Sequence, residues 1–299
     1  MDTRQIEYFL AVAEELNFTT AAARVFAAQS TVSAGIKALE ADLDASLFDR
    51  STRRVTLSAA GEAFLPEARA VLAAEAHARD AVRESSAVLR GHVRVGTLTG
   101  LGLVDLPGLC GDFHARHPAV DVQLRASPTG SSGLAEDLRN GRLDIALIGL
   151  PASELGGLTC RELARLPFVV LLPHDHRLAG EESPLALDEL AGEAFVDTLS
   201  GFGNRMEVDR RFRALGATRH VTVEVSDLTV VPDYVGAGLG VAVVPRVLHP
   251  REERVVERRP DPEIEWSLYV ATAAGRPLSR AVQAFLDLLA EREPQPGAF

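Results

Sequence analysis

Over residues 1–58 the apolar positions fall into three short helical blocks followed by a hairpin. Ile6, Phe9, Leu10, Ala13 and Leu16 recur at three- and four-residue steps, which places them on one face of a helix. Asn17-Phe18-Thr19 interrupts that pattern, and Thr19 or Thr20 can cap a second helix over Ala21–Phe26. Ala27-Ala28-Gln29 is a tight connection. Ser30 can then cap a third helix that buries Val32, Ile36, Leu39 and Leu43. Leu47-Phe48, the polar run Asp49–Arg54 and Val55-Thr56-Leu57 read as an apolar anchor, a loop and a short strand.

Residues 59–90 predict one long helix, about 45 Å at 1.5 Å per residue. Phe64, Ala68, Val71, Ala78, Val82 and Leu89 keep an alternating three–four spacing, with Glu75 and Ser85 off the pattern. An apolar stripe of that length needs a cover. A second copy of the chain would make this a dimerising linker; packing on its own chain would make it an ordinary helix.

Residues 91–299 alternate strand-like and helical runs. The strands fall at Val93–Thr97, Val120–Ala126, Leu143–Gly149, Phe168–Pro173, Phe195–Asp197, Val221–Val225, Val241–Val244 and Ile264–Thr272. The helices fall at Leu101–Arg116, Leu134–Asn140, Arg205–Leu215, Leu228–Ala237 and Arg280–Glu291. This predicts an α/β domain with a mostly parallel sheet, long enough for two small lobes around a cleft. Ligands in such folds sit beyond the carboxyl ends of strands, at helix N-termini.

Composition narrows the class. Of 299 residues, 46% are apolar and 24% charged, enough for ordinary cores and too apolar for a disordered chain. Two cysteines, Cys110 and Cys160, exclude a disulfide scaffold and a Cys-rich zinc site. The N-terminus shows no export signal, and no apolar run of about 18 residues predicts a membrane span. A cytoplasmic, bacterial-type protein is the expectation.

The net charge of -11 argues against coating nucleic acid or anionic membrane by bulk charge. Its distribution matters more. Residues 1–90 carry 10 basic and 13 acidic side chains, yet Leu16–Leu39 holds Arg24 and Lys37 with no acid. Arg50–Ser58 holds Arg50, Arg53 and Arg54, again with no acid. Any DNA binding by such a chain has weak non-specific affinity per subunit and relies on oligomerisation and site recognition.

A helix-turn-helix inserts its second helix into the major groove, N-terminus first. Here the outward set is Gln29, Ser30, Thr31, Ser33, Ala34 and Lys37. Gln29 can pair with adenine, the hydroxyls can reach bases or phosphates, and Lys37 suits a phosphate. Arg50, Arg53 and Arg54 suit the backbone or minor groove. A small helical subdomain with a solvated arginine loop is the plain alternative.

The same residues resemble the N-terminal domain of LysR-type transcriptional regulators. The resemblance is carried by Phe9-Leu10-Ala11-Val12-Ala13-Glu14, Phe18-Thr19-Thr20-Ala21-Ala22, Gln29-Ser30-Thr31-Val32-Ser33 and Ile36-Lys37-Ala38-Leu39-Glu40. Leu47-Phe48-Asp49-Arg50, Val55-Thr56-Leu57-Ser58 and Ala60-Gly61 complete it, at intact spacing. Val25 replaces the usual leucine, and Asp44 the glycine that usually ends the third helix. Residues 91–299 resemble the family's effector-binding domain through Gly91-His92-Val93-Arg94-Val95-Gly96, Phe113-His114-Ala115-Arg116-His117-Pro118, Leu138–Asp144 and Gly236–Pro245.

The resemblance implies a winged helix-turn-helix over 1–58, a linker helix over 59–90 and an effector domain over 91–299. It implies that the effector domain is a two-lobed α/β fold like type 2 periplasmic binding proteins, lobe I at about 91–160 and 267–299, lobe II at about 161–266. It further implies a homodimer or homotetramer on an interrupted palindrome of double-stranded DNA, switched by a small-molecule effector. Carried over by position, the effector residues are Thr97, Thr99, Gly130, Ser131, Ser200, Phe202, Asn204 and Val231. Hydroxyls and free N–H groups at helix N-termini suit a small carboxylate, and Phe202 an apolar portion. Thr97, Thr99 and Ser131 acting only as helix caps is the alternative.

Other signals carry less. Gly236-Ala237-Gly238-Leu239-Gly240 follows a helix and precedes a strand, the reverse of a dinucleotide loop. His174-Asp175-His176 lacks a third ligand, Ser200 lacks a nucleophile elbow, and the two cysteines show no low-pKa setting. No metal, cofactor or catalytic residue is expected. A ligand-binding protein that no longer reads DNA, an enzyme in the two-lobed domain, and a redox-responsive regulator are the rival functions.

Overall fold

The computed structural model describes residues 1–51, 54–83, 88–100, 102–180, 183–246 and 254–292. The chain divides into two compact units, one built on Met1–Val88 and the other on Leu89–Leu138 and Leu143–Phe299.

The first unit opens with α1 (Thr3–Glu15), capped by Asp2 in a reciprocal box with Gln5. The second helix, α2 (Phe18–Arg24), starts earlier than its apolar pattern suggests. Asn17, not a threonine, is its cap: its Oδ1 accepts the Thr19 and Thr20 N–H groups at 2.8 and 3.1 Å. Likewise Ser30 does not cap α3 (Gln29–Leu43). Ala28 holds that position in extended geometry with no side-chain bond, and its carbonyl takes the Thr31 and Val32 N–H groups. Asp44 ends α3 at φ 49°, so the turn keeps the left-handed form that glycine would give it.

Strands β1 (Phe48–Ser51) and β2 (Arg54–Leu57) pair antiparallel as the wing, Phe48 opposite Leu57. Glu40 on α3 anchors the wing by accepting the Leu47 N–H at 2.9 Å. Helix α4 (Ala59–Arg83) has 25 residues, about 37 Å, shorter than the span expected; residues 84–87, with Ser85, lie outside the described residues.

One apolar core holds the unit. Phe9 meets the rings of Phe48 at 5.4 Å and Phe64 at 5.1 Å, and Val32, Ile36 and Leu39 of α3 are fully buried beside them. Ala21 and Ala22 are buried, which lets α2 lie close to its neighbours. Gly35 does the same for α3: a Cβ there would stand 2.6 Å from the Tyr8 ring. Arg69 of α4, its side chain 6% exposed, pairs with Glu14 of α1 at 3.3 Å.

The second unit runs β3 (Gly91–Thr97), α5 (Leu106–Arg116), β4 (Val120–Ala126), α6 (Gly130–Arg139), β5 (Ile145–Ile148) and β6 (Leu158–Pro173). It continues with β7 (Leu185–Ala186), β8 (Ala194–Thr198), α7 (Gly203–Ala214), β9 (His220–Val225), α8 (Val231–Gly236) and β10 (Ala242–Pro245). It closes with β11 (Val255–Arg258), β12 (Pro260–Asp261), β13 (Glu265–Ala273) and α9 (Arg280–Glu291). The main sheet is ordered β10-β6-β13-β5-β3-β4, with β11 also on β6.

This sheet is not mostly parallel. Only β3–β4 and β3–β5 run parallel within it, while β5–β13, β13–β6, β6–β10 and β6–β11 are antiparallel. The reason is the 16-residue β6. Its first half pairs with β13; its second half, Phe168–Pro173, pairs with β10 and β11. One strand thus takes different partners along its length, and β13 runs antiparallel beside its first half. Strands β8 and β9 pair parallel as a separate sheet.

Candidate functional site

Two surfaces gather the chemistry. On the first unit, Gln29, Ser30, Thr31, Ala34 and Lys37 of α3 are exposed, and Ser33 is half-buried. Val32, Ile36 and Leu39 on the opposite face are fully buried. The helix is therefore held by one face and free to present the other. Lys37 makes no ion pair among the described residues. Arg24 is different: it pairs with Glu14 at 2.6 Å and Glu15 at 3.2 Å, acids that lie just before the acid-free stretch. Its guanidinium is committed within the unit. Arg50 and Arg54 stand in the wing, Arg50 opposite Val55 and Arg54 opposite Ser51. Arg53, and the side chains of Arg50 and Arg54, lie outside the described residues.

The second surface lies at the carboxyl ends of β3, β4 and β5. Thr97 ends β3 and is buried; its carbonyl accepts the Ser127 N–H at 3.2 Å. Ser127 in turn accepts the Thr129 N–H, and the two hydroxyls lie 3.2 Å apart. Gly130 then opens α6 at φ 63°. A Cβ on it would stand 2.7 Å from the Phe202 ring, so only glycine admits that ring. The contact is reinforced where the Ser132 N–H donates to Gly201 O at 3.1 Å.

Gly149, just after β5, is held from two sides. Its N–H donates to Ser131 Oγ at 3.0 Å, and its carbonyl accepts from Trp266 Nε1 at 3.2 Å. Ser131 is 1% exposed, and its hydroxyl does structural work as an acceptor while keeping its own proton to donate. Gly203, at the start of α7, sits directly against the Gly149 carbonyl, with no room for a Cβ. Gly100 meets Asp227 and Thr229 in the same way. Asp227 fixes its own loop by accepting the Thr229 N–H and hydroxyl at 2.9 and 2.7 Å.

The structure thus brings Thr97, Gly130, Ser131 and Phe202 to one place. Thr99 and Ser200 are exposed on loops beside it. Asn204 and Val231 turn away from solvent. Asn204 Nδ2 donates to Thr198 Oγ1 at 3.0 Å, beside the buried Asp197–Arg219 pair at 2.7 Å. Arg219 lies against both the Phe195 and the Phe212 rings, at 5.0 and 5.5 Å. Val231 is fully buried among Val196, Val235 and Val244. The pattern reading missed Ser127, Thr129, Asp227 and Thr229. Their signal was available: hydroxyls and an aspartate spaced for local caps, beside a glycine or a helix start.

Burial pushes the Cys110 thiol up, as for a thiol in apolar surroundings. No group of three or more His, Cys, Asp or Glu among the described residues could hold a metal ion. No helix among them is long and apolar enough to cross a membrane. A cavity of about 430 Å³ elsewhere is lined by Leu103, Leu109, Leu268 and Leu289 together with the Asp105–Arg292 ion pair; none of the hydroxyl cluster lines it.

Comparison with known proteins finds matches over both units. Residues 3–62 match the family model for the bacterial regulatory helix-turn-helix protein, lysR family, and residues 86–294 match the LysR substrate binding domain. The HTH-type transcriptional regulator ShiR of Corynebacterium glutamicum is 40% identical, the alignment covering 81% of this chain and 82% of that protein. Full-length OxyR of Pseudomonas aeruginosa superposes with a TM-score of 0.69 at 27% identity, covering 97% of this chain and 94% of that one. The regulatory domain of Synechocystis CcmR, solved in complex with 2-PG, superposes with a TM-score of 0.59 at 25% identity, covering 69% of this chain and 99% of that one.

Proposed function

The chain belongs to the LysR family of bacterial transcriptional regulators, and from that premise we propose which of its residues read DNA and which receive the effector. It is a sequence-specific DNA-binding regulator whose activity is controlled by a small molecule. Helix α3 reads base edges through Gln29 and Ser33, while Ser30, Thr31 and Lys37 hold phosphates. Arg50, Arg53 and Arg54 of the wing hold the backbone. The carrying observation is the two-faced α3, its apolar side fully buried and its polar N-terminal side exposed.

The effector is a small acceptor-rich molecule, a carboxylate first among candidates, bound where Thr97, Thr99, Ser131, Ser200 and Phe202 gather. The hydroxyls at the start of α6 and the contact of Gly130 with Phe202 support this reading. CcmR's complex with 2-PG shows that a related domain takes a small ligand. The chain acts by binding, as a homodimer or homotetramer in the cytoplasm, with residues 59–90 as the dimerising linker. A ligand switches such an assembly only through unequal affinity for its two states.

The test separates the roles. Gln29→Ala or Ser33→Ala weakens discrimination between sites, whereas Arg53→Ala weakens all sites alike and flattens the salt slope by about one unit. If both kinds of variant behave identically, the division into reading and anchoring residues is wrong.

A further inference from the structure

Phe26 breaks the apolar economy of the first unit. Its side chain is 96% exposed, and its backbone is left-handed at φ 52°. The turn itself is sound: the Phe26 N–H donates to Ala23 O at 3.2 Å, and the Ala27 N–H to Ala22 O at 2.9 Å, closing α2. Glycine or asparagine makes that turn without steric conflict, whereas a residue with a bulky side chain strains it. The ring recovers nothing by burial. Both effects oppose phenylalanine here as far as folding is concerned, so the use of the ring lies outside the unit.

Its position says where. Phe26 precedes α3 by three residues, at the end where Gln29, Ser30 and Thr31 are exposed. No acidic residue occurs between Asn17 and Leu39, and Lys37 adds a free positive charge on the same helix. A stretch with no acid and one cation unpaired among the described residues repels a polyanion less than the rest of this acidic chain does. A phenyl ring has no donor or acceptor to offer a phosphate. The apolar feature of a major-groove base edge is the 5-methyl group of thymine.

We infer that Phe26 packs against a thymine methyl at the margin of each half-site and adds a base preference to that of α3. The inference rests on α3 being the reading helix. Cover of the ring by a second copy of the chain, or by another protein, would be a different arrangement and is an outcome of the test.

The full-length protein is used to select duplexes from a random pool, and each thymine of the selected site is then replaced by deoxyuridine. Loss of one buried methyl lowers wild-type affinity about fourfold at one thymine per half-site. Phe26→Asn suits the left-handed turn, so its thermal unfolding is unchanged or higher. It selects sites without preference at that thymine and shows no penalty for deoxyuridine. The inference is overturned if Phe26→Asn keeps the wild-type preference and penalty, or if it alters only the oligomeric state in sedimentation. Gln29→Ala serves as the control. If it degrades selectivity while Phe26→Asn does not, only this inference fails; if neither does, the reading role of α3 fails with it.

Discussion

Ser131→Ala tests the hydroxyl site most sharply. The residue is 1% exposed, and its Oγ accepts the Gly149 N–H at 3.0 Å. Alanine removes the acceptor and leaves a buried amide without a partner. That loss costs about 1–3 kcal/mol, against about 1 kcal/mol for a hydrogen bond in which both partners can return to water. Taking about 2 kcal/mol, the melting temperature of a domain this size falls by roughly 4–8 °C. The assay is thermal and urea unfolding of the full-length protein, followed by calorimetric titration of whichever small carboxylate shifts the wild-type melting temperature. The second residue holding Gly149 offers a cross-check. Trp266→Phe removes the 3.2 Å bond to its carbonyl, and the double variant departs from additivity by about 0.5 kcal/mol or more. A Ser131→Ala variant as stable as wild type to within about 0.5 kcal/mol would refute the structural role given to this hydroxyl.

Four further outcomes follow. Gly35→Ala gains about 1 kcal/mol in helix propensity but brings a Cβ to 2.6 Å from the Tyr8 ring, so α1 and α3 separate and stability falls by about 1 kcal/mol net in urea unfolding. Asp44→Gly relieves a left-handed backbone at φ 49° and raises stability by about 1 kcal/mol; no gain in the same assay would contradict it. Thr99→Val, on an exposed loop, impairs the calorimetric response to ligand while sparing DNA affinity. Because burial raises the Cys110 thiol, its thiolate is scarce at neutral pH; iodoacetamide labelling, followed by mass spectrometry, is slower than for a free thiol and accelerates only in alkali.

The first unit was largely legible in the sequence because its period is local. Val32, Ile36 and Leu39 repeat at helical steps and are fully buried. What the pattern missed there was capping. Asn17 and Ala28 set the helix starts, and neither belongs to the apolar stripe. In the second unit the buried half of β6, Phe168–Pro173, was legible as an apolar run, but Leu158–Leu166 was not. That half alternates only over Leu158-Thr159-Cys160-Arg161 before Glu162 breaks the pattern, where the register with β13 shifts, so the alternation is too short to mark a long strand. Missing it concealed the antiparallel pairing with β13. The helix starts of α6 and α7 lay earlier than expected for a related reason: Gly130 and Gly203 are chosen for close approach, not for periodicity. Asn204 was placed by position alone, and nothing in the sequence told that its amide bonds the buried Thr198 hydroxyl.

The central claim is that the exposed face of α3 selects a DNA sequence. The direct measurement is competitive binding of the full-length protein to random-pool duplexes, over a salt series, for wild type and Gln29→Ala. The account predicts that wild type enriches an interrupted palindrome, and that Gln29→Ala loses base preference within each half-site at an unchanged salt slope. Enrichment of no sequence by wild type, or of the same sequence with the same preference by Gln29→Ala, would contradict it.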